Sequence, residues 1–174
     1  MSKIIGTKPN QVPTNANLGT MAYVEATPVV AFNVGLSSTF SNSGNGNPIT
    51  WGNTDGPGRF VYGGCYSTST GKFTAPTKGV YQFHMNILAQ SMGNGDNMEV
   101  YIRMDSTIVA IGSRMTYEPG ATGESGYMEG KISTIIECEQ GAEVFGSWYR
   151  QGSTGTIHAN PAWSYFCGAK ISLY

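Results

Sequence analysis

The stretch Gly79-Val80-Tyr81-Gln82-Phe83-His84-Met85-Asn86-Ile87-Leu88-Ala89 decides the fold. Tyr81, Phe83, Met85 and Ile87 fall on alternate positions, with Val80, Gln82, His84 and Asn86 between them. A period of two places these sets on opposite faces of an extended chain. A strand with one large apolar face must bury it against a second layer, so this segment predicts a packed sheet.

Outward from it the same pattern recurs. Val29 to Leu36 reads as a first strand, and Ser37 to Asn47 as a loop rich in Ser, Asn and Gly. Gly93-Asn94-Gly95-Asp96 is a turn leading into Val100, Ile102 and Met104, which alternate with Tyr101 and Arg103. A tight Asp105-Ser106-Thr107 connection precedes Ile108 to Ile111, and Tyr117 to Gly126 is a glycine-rich loop. Met128 to Cys138 alternates through Ile132, Thr134 and Ile136, and Glu139-Gln140-Gly141 turns the chain into Val144, Gly146 and Trp148. A last strand is expected from Tyr165 to Tyr174, with Tyr165, Cys167, Ala169, Ile171 and Leu173 on one face. Roughly eight to ten short strands at such spacing predict an all-β, antiparallel sandwich or jelly roll.

Composition agrees. Ile and Val together number 22 against 4 Leu, and there are 24 glycines. Branched Cβ atoms favour strands, and frequent glycine interrupts helices. Charged residues make up 12% of the chain and the net charge is −1, against a usual charged fraction of about 25%. No basic stripe is available to displace counterions from phosphates, so no nucleic-acid partner is expected. No run approaches the roughly 18 apolar residues of a membrane-spanning helix, so no membrane insertion is expected.

Cys65, Cys138 and Cys167 form an odd set without a CxxC pair, which argues for thiols and against a zinc site. The start, Met1 to Pro9, lacks the apolar core of a secretory signal, and there is no Asn-x-Ser/Thr acceptor. Synthesis in a reducing cytoplasm is the expectation.

Little in the sequence points to bond-making chemistry. Gly64 and Gly71-Lys72-Phe73 have the wrong spacing for a phosphate loop, and Phe73 stands where a hydroxyl would hold magnesium. Gly123-Glu124-Ser125-Gly126 is not a nucleophile elbow. His84 and His158 have no ligand-spaced neighbours, and Asp96 with Glu99 makes only a sparse calcium set. No catalytic residue, cofactor or metal is expected.

Longer patterns resemble a known family. Thr70-Gly71-Lys72-Phe73-Thr74-Ala75-Pro76-Thr77-Lys78-Gly79-Val80-Tyr81-Gln82-Phe83 resembles the signature T-G-x-F-T-x-P-x-x-G-x-Y-x-F of the complement one-q globular head. Val30-Ala31-Phe32 with Leu36 resembles that family's first strand. Gly130 to Ile136 with Gln140-Gly141-Ala142-Glu143-Val144 resembles its strand-turn-strand, Ala142 replacing the usual Asp. Ser164 to Tyr174 resembles its closing strand, with Cys167 at the usual Ser. The resemblance implies a tumour-necrosis-factor-like jelly roll over residues 28–174 and a homotrimer. Phe73, Tyr81, Phe83, Tyr165, Phe166 and Tyr174 are then expected to pack the core or the trimer.

Residues 1–27 differ, showing no period and holding Pro9 and Pro13. Gly6 to Tyr23 resembles the pattern G-T-x-P-x-Q-V-P-x-N-x-x-L-G-T-x-A-Y met in tail and structural proteins of marine bacteriophages. That likeness implies an extended arm docked on other virion proteins, with Ile4, Ile5, Val12, Leu18, Met21 and Tyr23 as the buried contacts. The resulting expectation is a non-enzymatic virion surface protein, of capsid-decoration or tail-fibre type, that adheres to a host-surface glycan or protein. The alternative is a soluble trimeric ligand-binding module of complement or cytokine type.

Overall fold

The computed structural model describes residues 29–41, 46–118, 126–152 and 155–171. Among them there are strands and turns and no helix. In chain order the strands are β1 (Ala31–Gly35), β2 (Phe60–Tyr62), β3 (Tyr66–Ser67), β4 (Lys72–Thr74), β5 (Gly79–Met92), β6 (Asn97–Met104), β7 (Thr107–Thr116), β8 (Gly126–Cys138), β9 (Glu143–Gln151), β10 (Thr156–Ile157) and β11 (Tyr165–Lys170). All pairings are antiparallel.

Sheet I runs laterally β8-β5-β11-β1-β2. β8 occupies one edge of β5, so β10 shares the other edge with β11, pairing at Gln90 and Ala89. Sheet II runs β3-β4-β9-β6-β7. Two such layers, with β1 and β11 at the centre of the first, make a jelly roll.

β5 alternates as its sequence requires, with Tyr81, Phe83, Met85, Ile87 and Ala89 completely buried between the sheets. Opposite them lie Phe73, Val144 and Trp148 of sheet II, and Met98, Val100 and Ile102 of β6. Phe32 stands at the middle of an aromatic cluster, its ring centroid 5.0 Å from Tyr66 and Phe166, 5.6 Å from Phe73 and 6.4 Å from Phe83. Such offset and edge contacts add to the area the rings remove from water.

Two glycines fit this packing. Gly71 takes φ +72° in the turn before β4, and a Cβ there would lie 2.4 Å from the Ile49 carbonyl oxygen. Gly168 leaves room for the cluster, since a Cβ would come within 2.6 Å of Phe83 and 2.8 Å of Phe32. The β6–β7 hairpin turns on Asp105 and Ser106 at φ 47° and 76°, the positive-φ pair that matches the twist of a two-residue connection. Beyond it β7 meets β8. Ser113 Oγ accepts the Lys131 N–H at 3.2 Å and donates to the Lys131 carbonyl at 3.4 Å, closing one side of the sandwich.

Differences from the sequence reading are local. Strand β1 is shorter than Val29 to Leu36: Val29 is exposed, Ala31 to Gly35 pair with β11, and only Ala31 to Asn33 also pair with β2. The last strand ends at Lys170, with Ile171 half exposed; Leu173 and Tyr174 lie outside the described residues. The described residues hold eleven strands, one above the eight to ten expected, and β2, β3 and β10 are too short to display a period.

Charges take little part. The ion pairs Lys72–Glu143 (2.6 Å), Arg114–Glu99 (2.9 Å) and Lys131–Glu129 (2.9 Å) all lie at or near the surface, where each is worth about 0–1 kcal/mol. Phe32→Ala should therefore act through packing alone, lowering the unfolding free energy by about 3–5 kcal/mol. Urea denaturation checks this, and a loss below about 1 kcal/mol would contradict the central place given to that ring.

Candidate functional site

The strand register assembles a surface from five strands on the outer face of sheet I. One row across it reads Tyr62, Ala31, Ala169, Gln82 and Ile135. The next reads Phe60, Asn33, Cys167, His84 and Ser133, and a third reads Gly35, Tyr165, Asn86 and Lys131. Each residue is here because its neighbours at odd spacing are held in the core by their apolar side chains. Small residues dominate the middle, and a depression of about 290 Å³ opens there, lined by Ala31, Asn33, Phe60, Gln82, His84, Cys167 and Ala169, with Phe32 and Gly168 reaching it from the core side.

Aromatic and apolar groups rim the depression. Phe60 and Tyr62 stack with centroids 4.9 Å apart at one side, and Ile135 is 61% exposed at the other. The Arg59 guanidinium lies 5.4 Å from the Tyr165 ring centroid and donates a hydrogen bond to Asn33 Oδ1. Tyr165 Oη and His84 Nε2 are 3.3 Å apart. Burial, and secondarily the Lys131 charge, hold His84 below its ordinary pKa of 6.5. Burial raises the Cys167 thiol, with the Arg59 charge opposing. None of the three rows holds a carboxylate, and the thiol is biased away from thiolate. This surface supplies shape, apolar area and hydrogen-bonding groups.

Of the sequence-predicted packing residues, Phe73, Tyr81, Phe83 and Phe166 come together inside a single chain's core. Tyr165 faces outward, with Cys167 and Ala169 beside it on the same strand. Tyr174, and the arm residues Ile4, Ile5, Val12, Leu18, Met21 and Tyr23, lie outside the described residues. Asp96 and Glu99 have partners of their own. Asp96 Oδ2 accepts the Gly93 N–H at 2.8 Å, while Glu99 pairs with Arg114 and accepts the Tyr101 hydroxyl. Among the described residues no three His, Cys, Asp or Glu side chains gather as a metal-holding group.

Ile135 and Tyr127 are surface groups that the sequence reading did not single out, and Trp163, which it placed in an aromatic-rich last strand running to Phe166, lies in the turn before β11 and is 49% exposed. A signal for the first was present: Ile135 and Ile136 are adjacent in an alternating strand, so one of them must face out.

The cysteines are free thiols; burial pushes Cys65 and Cys138 up to about 11.

An antiparallel jelly roll whose first and last strands pair at the centre of one sheet defines the class of this protein. The C1q domain profile matches residues 31–169, and the chain belongs to the C1q domain family, whose modules are non-enzymatic. A search of the curated proteins finds no match.

His84 gives the surface a pH dependence whose sign is fixed. Its folded pKa lies below the ordinary 6.5, so the unfolded chain binds the proton more readily. Its contribution is intact above that value and is lost as the pH falls through the folded pKa. Melting temperature should therefore drop more steeply below pH 6.5 in the wild type than in His84→Gln, measured by thermal scans in matched buffers. Parallel profiles would exclude His84 as the source.

Proposed function

We propose that this chain is a non-enzymatic structural protein of a bacteriophage particle, a homotrimeric jelly-roll knob held by residues 1–27 and displayed on the surface. The trimer rests on one observation, the outer face of sheet I. A closed threefold ring needs two different patches, one on each side of every contact. The depression between Phe60 and His84 is one, and its floor of alanine and glycine permits close approach. Ile135 and the neighbouring edge strand β7, where Ile108, Ile111 and Met115 are exposed, supply the other. Membership of the C1q domain family supports the same arrangement.

Support for display on a particle comes from the segment Gly6 to Tyr23 and its likeness to bacteriophage structural proteins. An extended segment gains order by adding to a partner's sheet edge or lying in its groove. Pro9 and Pro13 reduce the entropy lost in doing so. A sparse, balanced charge suits a surface that touches many copies of itself and its neighbours without repulsion. The family match also favours a second reading, a soluble trimeric ligand-binding module, which differs in needing no particle.

Two measurements test the proposal. Light scattering at micromolar concentration should give a trimer for the wild type and a monomer for Ile135→Glu, with circular dichroism unchanged between them. A monomeric wild type would end the trimer reading. Deleting residues 1–27 should leave folding and trimer intact and abolish incorporation into particles; full occupancy by the truncated chain would show that the jelly roll itself docks.

A further inference from the structure

The outer face of sheet I has two ends. The chain enters the sheet at Ala31 and leaves it at Lys170, both near Gln82 of β5. From Gln82 to Gln90 the strand runs about 26 Å further, at about 3.3 Å per residue. At that far end three rings form a strip. Tyr127 of β8 lies 6.4 Å from His158, and His158 lies 5.1 Å from Trp163, between ring centroids. Tyr127 is 64% exposed and Trp163 49%. The main chain fixes the strip: the His158 N–H donates to the Leu88 carbonyl at 2.8 Å, and Ser164 Oγ accepts the Leu88 N–H at 3.1 Å. Tyr127 and Leu88 are strand residues of β8 and β5, while His158 follows β10 and Trp163 lies in the turn before β11.

We propose that this strip is a binding platform for a neutral saccharide. It rests on the reading of the chain as a displayed adhesive knob, and it places the adhesive site at the end of the sheet away from Ala31 and Lys170. Exposed Trp and Tyr rings present a negative π face, and the axial C–H bonds on one face of a pyranose ring carry the complementary positive edge. The rim is neutral. Glu129 and Lys131 cancel as an ion pair, and Gln90 and Thr156 offer an amide and a hydroxyl, bonded to each other at 3.3 Å. A basic or acidic ligand finds no countercharge there.

Two buried polar atoms beside the strip, Asn86 Oδ1 and His158 Nδ1, have no hydrogen-bond partner. The Asn86 amide nitrogen, by contrast, donates to the Trp163 carbonyl at 2.5 Å. Asn86 Oδ1 is an acceptor and His158 Nδ1 a donor or an acceptor according to its tautomer, and each costs free energy until a partner reaches it. A hydroxyl-rich ligand carries both donors and acceptors, whereas an acyl chain or an apolar protein surface carries neither. The occupant that satisfies both the rings and the orphans is a sugar.

The test uses the full chain with maltohexaose, cellohexaose, chitohexaose and mannohexaose as probes. Trp51 and Trp148 are fully buried, so a change in the exposed fraction of tryptophan fluorescence reports Trp163. Expected are saturation transfer to ring protons of at least one probe, and an affinity about tenfold weaker in Trp163→Ala and in Tyr127→Ala, both variants remaining trimeric by light scattering. Silence from every probe at millimolar concentration overturns the proposal. So does loss of the trimer in Trp163→Ala, which would make the strip a contact between copies. Binding to neutral phosphatidylcholine vesicles in place of the sugars also overturns it. A wild type that binds sugar as a monomer retains the platform and removes the trimer, so the two readings fail separately.

Discussion

Phe32 touches the rings of Tyr66, Phe73, Phe83 and Phe166, and through them five strands drawn from both sheets meet at one point. The strands of a jelly roll come from distant parts of the chain, so local propensity cannot hold them in register. Interlocking aromatic side chains can, because a slip of one residue would turn every ring to the wrong face. The cluster also shapes the surface. Gly168 carries no side chain because Phe83 and Phe32 fill the space a Cβ would need, and the same thinness brings Phe32 to the floor of the outer depression. Core packing and surface relief are two sides of one constraint.

The long strands were legible because each has one face in the core and one outside. β5 and β8 show this most plainly: Met85 pairs with Ile132 inside, while Gln82 and His84 pair with Ile135 and Ser133 outside. The short strands were not legible. Thr156–Ile157 is strand only because β5 outruns β11 and leaves an edge to be paired. The resemblance to the family was carried most visibly by the segment from Thr70 to Phe83, in which Gly71 takes the positive φ of the turn before β4 and Tyr81 and Phe83 fill the core.

The surface was legible only in part. The central rows follow from parity alone once the strands are aligned, and Ile135 follows from its position beside Ile136. The strip of Tyr127, His158 and Trp163 does not. Its members are separated by 31 and 5 positions in the sequence, and they meet because β10 and β8 flank the same end of β5. Lateral neighbours across a sheet are set by topology, which no window along the chain contains.

The sparseness of charge described for the fold bears on where such a protein can work. At an ionic strength of about 1 M the Debye length is about 3 Å, against about 30 Å at 0.01 M. A protein assembled from ion pairs would loosen across that range. Here the cohesion lies in rings and methyl groups, and burial of apolar area is not screened by dissolved salt. Screening of charge by salt therefore removes little of what holds this fold together.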